Sequence, residues 1–489
     1  MSVANLTRRV SALRAGVARR VINPPLGIKR PGVRLFADPI QAIESDLTAT
    51  VLVLAAGDSR AAIVACDLCA IPVPVVDRLR LRIAGVLDTT VEHVLVNESH
   101  THSGPALPEF IPEPPEQAVV QQAYQDEMEE AVVQAAREAG ATLQPARIGA
   151  GWGECGIAAY RRERGPDGTD HLGEVPGAPT DPSVGVVRVD DLGGRPIATL
   201  FSYGCHPVTM GPHSHVASSD FPGAARAVVE GALGGTALFL QACGGNINPV
   251  TGIGAEVDCR DNKDRIGTML GAEVVKVAAG IRTHVRRGAK RPIDTLASVS
   301  VWPWEPVRGE SESTPAAAER ALDLDFVELP SLEKAQAIHD RWHRELAEAE
   351  SAGGHHWDVA IAKRFAHWSE RLVAAVRDGS PRFTMPVQVL RVGDIAWVGV
   401  GAEVFFETGL TIKSSSPIAH TQVLGYSAGC RTYLPRAEDY PDGGWDIDAR
   451  YAVPDLFFQA YSMPVALRPD SAEQVTEAAL DLLKDIAGG

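Results

Sequence analysis

Short apolar runs recur along this chain, rich in Val, Ile, Leu and Ala and closed by turn residues: "TVLVLAAGD", "AAIVACDL", "EHVLVNE" and "TALFLQACGGN". Runs so brief and so continuously apolar read as buried strands. Stretches of helical period separate them. "VVDRLRLRIAGVL" is one, and "QQAYQDEMEEAVVQAAREAGATL", ending near Gly140, is another. "DFPGAARAVVEGALGG" reads as a helix started by Asp220 and Pro222. "SVGVVRVDDLGGRPIATLFSYGCH" reads as a hairpin around a Gly-Gly turn, with its second strand ending at His206. This alternation constrains the chain to an α/β fold, a mixed sheet core flanked by helices.

From Glu319 to Asp378 the character changes to charged and helical, broken at Gly353-Gly354. Residues 319–378 are therefore expected to form a helical pair inserted into the core. Strands resume with "PVQVLRVGDIAWVGVGAEVF", and "SAEQVTEAALDLLKDIAGG" forms a closing helix. One domain over residues 15–489, carrying that insertion, accounts for the whole pattern. No tandem repeat interrupts it.

The formal net charge of −16 argues against nucleic acid and anionic membrane surfaces as partners. No stretch approaches the roughly 20 apolar residues of a membrane span. No stable membrane association is expected. The basic N-terminus lacks an apolar segment and a cleavage site, so it does not read as a secretory signal. Seven cysteines, an odd number, show no framework spacing. Cys66 and Cys69 have no second pair to complete a zinc site and read as buried thiols on a strand. A reducing, cytoplasmic setting is the expectation. Nothing in the sequence reports the oligomeric state.

Ligand-type residues gather at the strand ends, where open α/β sheets place their sites. His100 and His102 follow one strand, His206 another, Asn246 and Asn248 a third, and Glu403 a fourth. A lone histidine there is more often a hydrogen-bonded loop residue. Glu403 could equally neighbour a helix N-terminus, since "EVFFETGLTIKSS" looks helical. His-x-His is more telling, because alternate residues of an extended segment share a face. The residues alone leave three readings of His100 and His102 open: two metal ligands, one ligand with one helper, or ordinary loop residues.

Taken together and in order, five segments resemble the catalytic domain of the neutral/alkaline, non-lysosomal ceramidase family. They are "INPPLGIKRPG", "SHTHSGP", "SYGCHPVTM", "GAEVF" and "YLPRAEDYPDGGW". The resemblance implies a ceramidase-like fold and one zinc ion per chain, held by His100, His206, Glu403 and Tyr433. It makes His102 the proton-transfer group beside the metal. Arg161 becomes the substrate-contacting arginine, with Arg162 the neighbouring alternative.

The match departs from the family in two places. Asn246 and Asn248 in "CGGNINP" replace the family's Asp and Ser. Asparagine is no nucleophile, but its amide can donate to an oxyanion. A family tyrosine is replaced by Trp445, whose indole cannot act as a proton-transfer acid. Neither the family's signal peptide nor its β-sandwich C-terminal domain is expected from this sequence. The resemblance therefore implies a zinc-dependent hydrolase that cleaves the C–N bond of a small or medium-sized amide by attack of activated water. An ester or lactone hydrolase on the same site is the alternative among enzymes. A catalytically silent, metal-containing binding protein is the alternative outside them.

Overall fold

The structure, a computed structural model, describes residues 12–30, 39–108, 115–166, 168–211, 214–253, 259–293, 295–296, 299–307, 313–352, 356–379, 382–444 and 463–488. Its centre is an eight-stranded mixed sheet. Across that sheet the strands run Thr236–Gln241, Pro196–Tyr203, Ser183–Asp191, Gln144–Glu154, Arg14–Val21, Thr48–Ala56, Ser59–Cys66 and Val94–Glu98. A second, four-stranded sheet is ordered Ala316–Asp325, Arg382–Val392, Ile395–Val400 and His420–Leu424.

Strand alternation builds the layers. In Thr48–Ala56, Val51 and Val53 pack with Leu79 and Ile83 of helix Val73–Leu87 and with Val132 of helix Pro115–Ala141. Leu52 and Leu54 point the other way, into a core shared with Leu390 and Trp397 of the second sheet. Successive side chains of a strand face opposite sides, so each strand feeds two cores at once and reads as continuously apolar. The second sheet does the same. Its Val389 and Val398 pack on Val475 and Leu482 of helix Ser471–Gly488. Helices therefore back both sheets, and the sheets face one another.

Among the described residues, three strand pairs within these two sheets are parallel: Ser59–Cys66 with Val94–Glu98, Pro196–Tyr203 with Thr236–Gln241, and Ile395–Val400 with His420–Leu424. Each pair is joined through a helix, Val73–Leu87, Asp220–Leu233 and Phe406–Ser415 respectively. One buried side chain ties the three ends together. Asn97 Nδ2 donates to Gly425 O at 2.8 Å, to Gln241 O at 3.2 Å and to Ser427 Oγ at 3.1 Å. Its Oδ1 accepts from Gln241 N at 2.8 Å. Strands Val94–Glu98 and Thr236–Gln241 are the two edges of the large sheet, so this amide joins edge to edge.

The helical insertion starts later than expected. Residues 319–325 complete the strand Ala316–Asp325, antiparallel to Arg382–Val392 over its whole length. "ERALDLD" has helix-forming composition, but ladder pairing and the burial of Leu324 override it. The helices are Leu332–Ser351, capped by Ser331 Oγ, and His356–Asp378. They pack on each other through Trp342 and Phe365, whose rings stack at 4.4 Å. The expected Gly353-Gly354 break lies outside the described residues.

Asn97→Ala leaves Gln241 N and Gly425 O in the interior without this partner. Gly425 O keeps the Ser427 Oγ donor at 3.0 Å, so at about 1–3 kcal/mol for one buried polar group left unpaired the variant should lose roughly 1–3 kcal/mol in urea unfolding. An unchanged midpoint would show that the strand ends hold together without it.

Candidate active site

The ligand-type side chains sit just beyond the C-terminal ends of parallel strands. His100 follows Val94–Glu98, His206 follows Pro196–Tyr203, and Glu403 follows Ile395–Val400. Loop bonds then draw the segments together. His102 N donates to Pro207 O at 3.1 Å, linking the two histidine loops. Gly245 N donates to Val404 O at 2.9 Å. A Cβ on Gly245 would lie 2.4 Å from Glu403 O, so only glycine allows this approach.

His100, His206 and Glu403 are all buried, with their ligand atoms within 4.8 Å of one another. His206 Nε2 lies 3.0 Å from Glu403 Oε2, and His100 Nε2 lies 3.6 Å from Glu403 Oε1. The opposite ring nitrogens are committed. His100 Nδ1 meets Cys69 O at 2.5 Å, and His206 Nδ1 meets Gly244 O at 2.8 Å. A carbonyl only accepts, so both Nδ1 atoms carry the proton and both Nε2 atoms present a lone pair. Neither Nε2 has a hydrogen-bond partner. Burial holds both imidazoles well below their usual pKa and hence neutral. Buried lone pairs of this kind, facing a carboxylate, fit a divalent metal with N and O ligands.

Cys69, His100 and His102 form a second close group. In that group Cys69 Sγ approaches His100 at Nδ1, the nitrogen already donating to a carbonyl. Burial also pushes the Cys69 thiol well above its usual pKa. The His100 nitrogen on that side already carries the proton it donates to Cys69 O, so His100 offers no lone pair toward Cys69. Cys66 and Cys69 are buried free thiols, as the sequence suggested.

The other expected residues take up definite places. Tyr433 is the strand partner of Glu403. Its hydroxyl accepts from Arg161 Nη2 at 3.2 Å. Arg161 also donates to Gly245 O at 2.6 Å and to Asn248 Oδ1 at 3.2 Å, and lies 3.8 Å from Glu403 Oε2. Arg162 turns away, to Gly443 O and Asp170. Arg161 is therefore the arginine that faces the site. A guanidinium only donates, so the atom of Asn248 it meets is the oxygen, and Nδ2 occupies the other branch of the amide. Asn246 is structural: it accepts from Phe406 N and donates to Glu407 at the start of the helix Phe406–Ser415. His102 keeps some exposure, yet both its ring nitrogens are shielded and unbonded. Its ring lies 4.8 Å from His100 and 5.7 Å from His206. Shielding from water, with His206, Arg161 and Arg30 nearby, holds it well below the usual histidine pKa. Trp445 lies outside the described residues.

Sequence reasoning missed Tyr426. Its hydroxyl donates to Glu403 Oε2 at 3.3 Å, and its ring lies 4.3 Å from that of His100. It follows the strand His420–Leu424, so the strand-end rule that found the histidines also pointed to it. Tyr426 and His100 both hold left-handed backbone, at φ 51° and 63°. Side-chain-bearing residues in that region store strain, which concentrates at functional sites.

No protein-family model matches the chain. Neutral ceramidase A of Dictyostelium discoideum is 28% identical over 190 residues, which is 36% of this chain and 26% of that protein. The matched stretch thus spans about a quarter of the relative's length. The neutral ceramidase from Pseudomonas aeruginosa superposes with a TM-score of 0.65 at 18% identity, over 98% of this chain and 75% of that one. A ceramidase complexed with C2 gives 0.67 at 16%, over 98% and 76%. The chain is similar in sequence to a neutral ceramidase and has the neutral ceramidase fold, as its motifs implied.

Tyr426→Phe removes the hydroxyl that orients Glu403. Loss of such an outer partner should weaken divalent-metal binding by about 10–100-fold, measured by competition with a chromophoric chelator. Equal affinity in the variant would mean that Tyr426 only packs against the site.

Proposed function

We propose that this protein is a zinc-dependent hydrolase that cleaves the C–N bond of an N-acyl amide. The observation that carries the reading is the pair of buried, partnerless Nε2 atoms of His100 and His206 facing the Glu403 carboxylate. These three residues, with Tyr433, would hold the ion. Zinc bound there supplies Lewis acidity and brings the pKa of a water toward 7.

The chain's own groups account for the remaining work. His102 is neutral because its pKa is depressed, and its ring nitrogens are unbonded. It accepts the proton of the attacking water and returns it to the leaving nitrogen, releasing amine and carboxylate. Asn248, held through Oδ1 by Arg161, turns its Nδ2 donor to the oxyanion of the attacked carbonyl. Arg161 is a positioning residue that fixes Asn248 and Tyr433 together. No serine stands at Asn248, so water attacks directly, without an acyl-enzyme.

The names of the similar proteins put ceramide-like lipid amides first among substrates. Smaller amides, favoured by charge and composition, come second. A panel of N-acyl amides of graded chain length, presented in detergent, ranks the two.

Purified protein should carry about one zinc per chain by elemental analysis. His206→Ala should lose both zinc and turnover. His102→Ala should keep zinc and lose turnover by roughly 10²–10⁴-fold. A His206→Ala variant with full zinc and full activity would sink the proposal.

Asn248→Ala should lower kcat by roughly 10²–10³-fold with zinc retained. Intact-mass measurement during turnover should show the unmodified chain. A covalent acyl adduct would overturn direct attack by water.

A further inference from the structure

After the helix Cys259–Gly280 the chain extends a narrow arm. Val285–Arg287 pairs with Trp304–Pro306, and Arg291–Ile293 pairs with Val299–Val301. Each pairing is a sheet of two strands only. Every described residue from Lys290 to Ser300 is exposed. A two-stranded ribbon with no packed face is marginal in water. This one also exposes Ile293, Leu296 and Val299 at its far end, with Leu296 wholly exposed.

Register orders the arm by chemistry. The apolar tip comes first. Arg291 is then paired with Val301, and closer to the base Arg287 is paired with Trp304. Trp302 and Trp304 remain 52% and 43% exposed. Lys290 lies 4.8 Å from the centre of the Trp302 ring, and Arg287 4.1 Å from that of Trp304. From residue 282 to 306 there are five Lys or Arg against Asp294 and Glu305, a local charge of 5 − 2 = +3 in a chain of −16.

We infer that this arm is a reversible anchor for an anionic lipid surface. An apolar tip, then indoles, then cations is the order of depth that a bilayer interface selects. Apolar groups enter the acyl boundary, while indole and cationic heads stay among the headgroups. Charge complementarity favours anionic lipid over neutral lipid. A ribbon two strands wide is too narrow for the roughly 800 Å² per partner of a stable protein interface, whereas a lipid surface requires no matching shape. Among the described residues no helix is long and apolar enough to cross a membrane, so the contact is peripheral. The expectation of no stable membrane association rested on the chain's average charge and on the lack of a spanning apolar run, and the arm is a local exception to that average.

The test is co-sedimentation of the full, zinc-loaded chain with vesicles of phosphatidylcholine alone or with about one-third phosphatidylserine. No substrate is present, so the result is independent of the amide-hydrolase reading. The wild type should bind the anionic vesicles and be released as salt rises from about 0.1 to 0.5 M. Lys290→Ala and Arg291→Ala should each weaken binding roughly five-fold. Leu296→Asp with Trp302→Ser should abolish it. These variants should keep the wild-type melting temperature and the wild-type turnover of a water-soluble short-chain amide. A wild type that stays in the supernatant with both vesicle types would overturn the inference, as would a Leu296→Asp/Trp302→Ser variant that still binds. Self-association of the wild type that the same variant abolishes, without vesicle binding, would make the arm a contact between copies and would overturn it as well.

Discussion

The side-chain amide of Asn97 is the constraint on which the site depends. It stands in for a peptide group, donating to and accepting from Gln241 on the opposite edge of the same sheet. It also reaches Gly425 and Ser427, at the end of a strand in the second sheet. In a buried setting each of these polar groups needs a partner. One side chain supplies all of them, and three parallel pairs must then end at one place. His100, His206 and Tyr426 follow from that convergence, because each is only a few residues beyond a strand of one of these pairs.

Convergence alone does not make a ligand set. The ring orientation comes from backbone carbonyls at Cys69 and Gly244, which take the proton-bearing nitrogens and leave both Nε2 lone pairs toward Glu403. Glu403 is in turn oriented by Tyr426 and flanked by Arg161. The left-handed backbone at His100 and Tyr426 is the conformational cost of that arrangement. Burial holds all three imidazoles well below the usual histidine pKa, which leaves the Nε2 lone pairs of His100 and His206 unprotonated.

Charge acts at two scales. The total of −16 describes the surface as a whole and disfavours anionic partners on average. Electrostatic attraction at a membrane falls off within a Debye length, so a projecting arm responds to its own charges rather than to the sum. The exposed Leu296 and the indoles of Trp302 and Trp304 gather at the part of the chain where the charge reverses.

The sequence by itself determined the α/β architecture, because brief apolar runs and amphipathic stretches leave few other ways to bury both. It also marked His100, His206 and Glu403, since ligand-type residues after strands are visible as pattern, and its motifs gave the family likeness. Tertiary structure decided the rest. "ERALDLD" became strand because Arg382–Val392 offered it a ladder, a partner more than fifty residues away. Arg161 rather than Arg162 faces the site because neighbouring strand residues take opposite sides, and their partners, Gly245 and Gly443, are remote in sequence. Asn97 gave no local signal of its role, and Tyr426 gave only its place just after a strand. Their hydrogen-bond partners are brought near only by folding, and the demand that buried polar groups be paired acts only once water has been excluded.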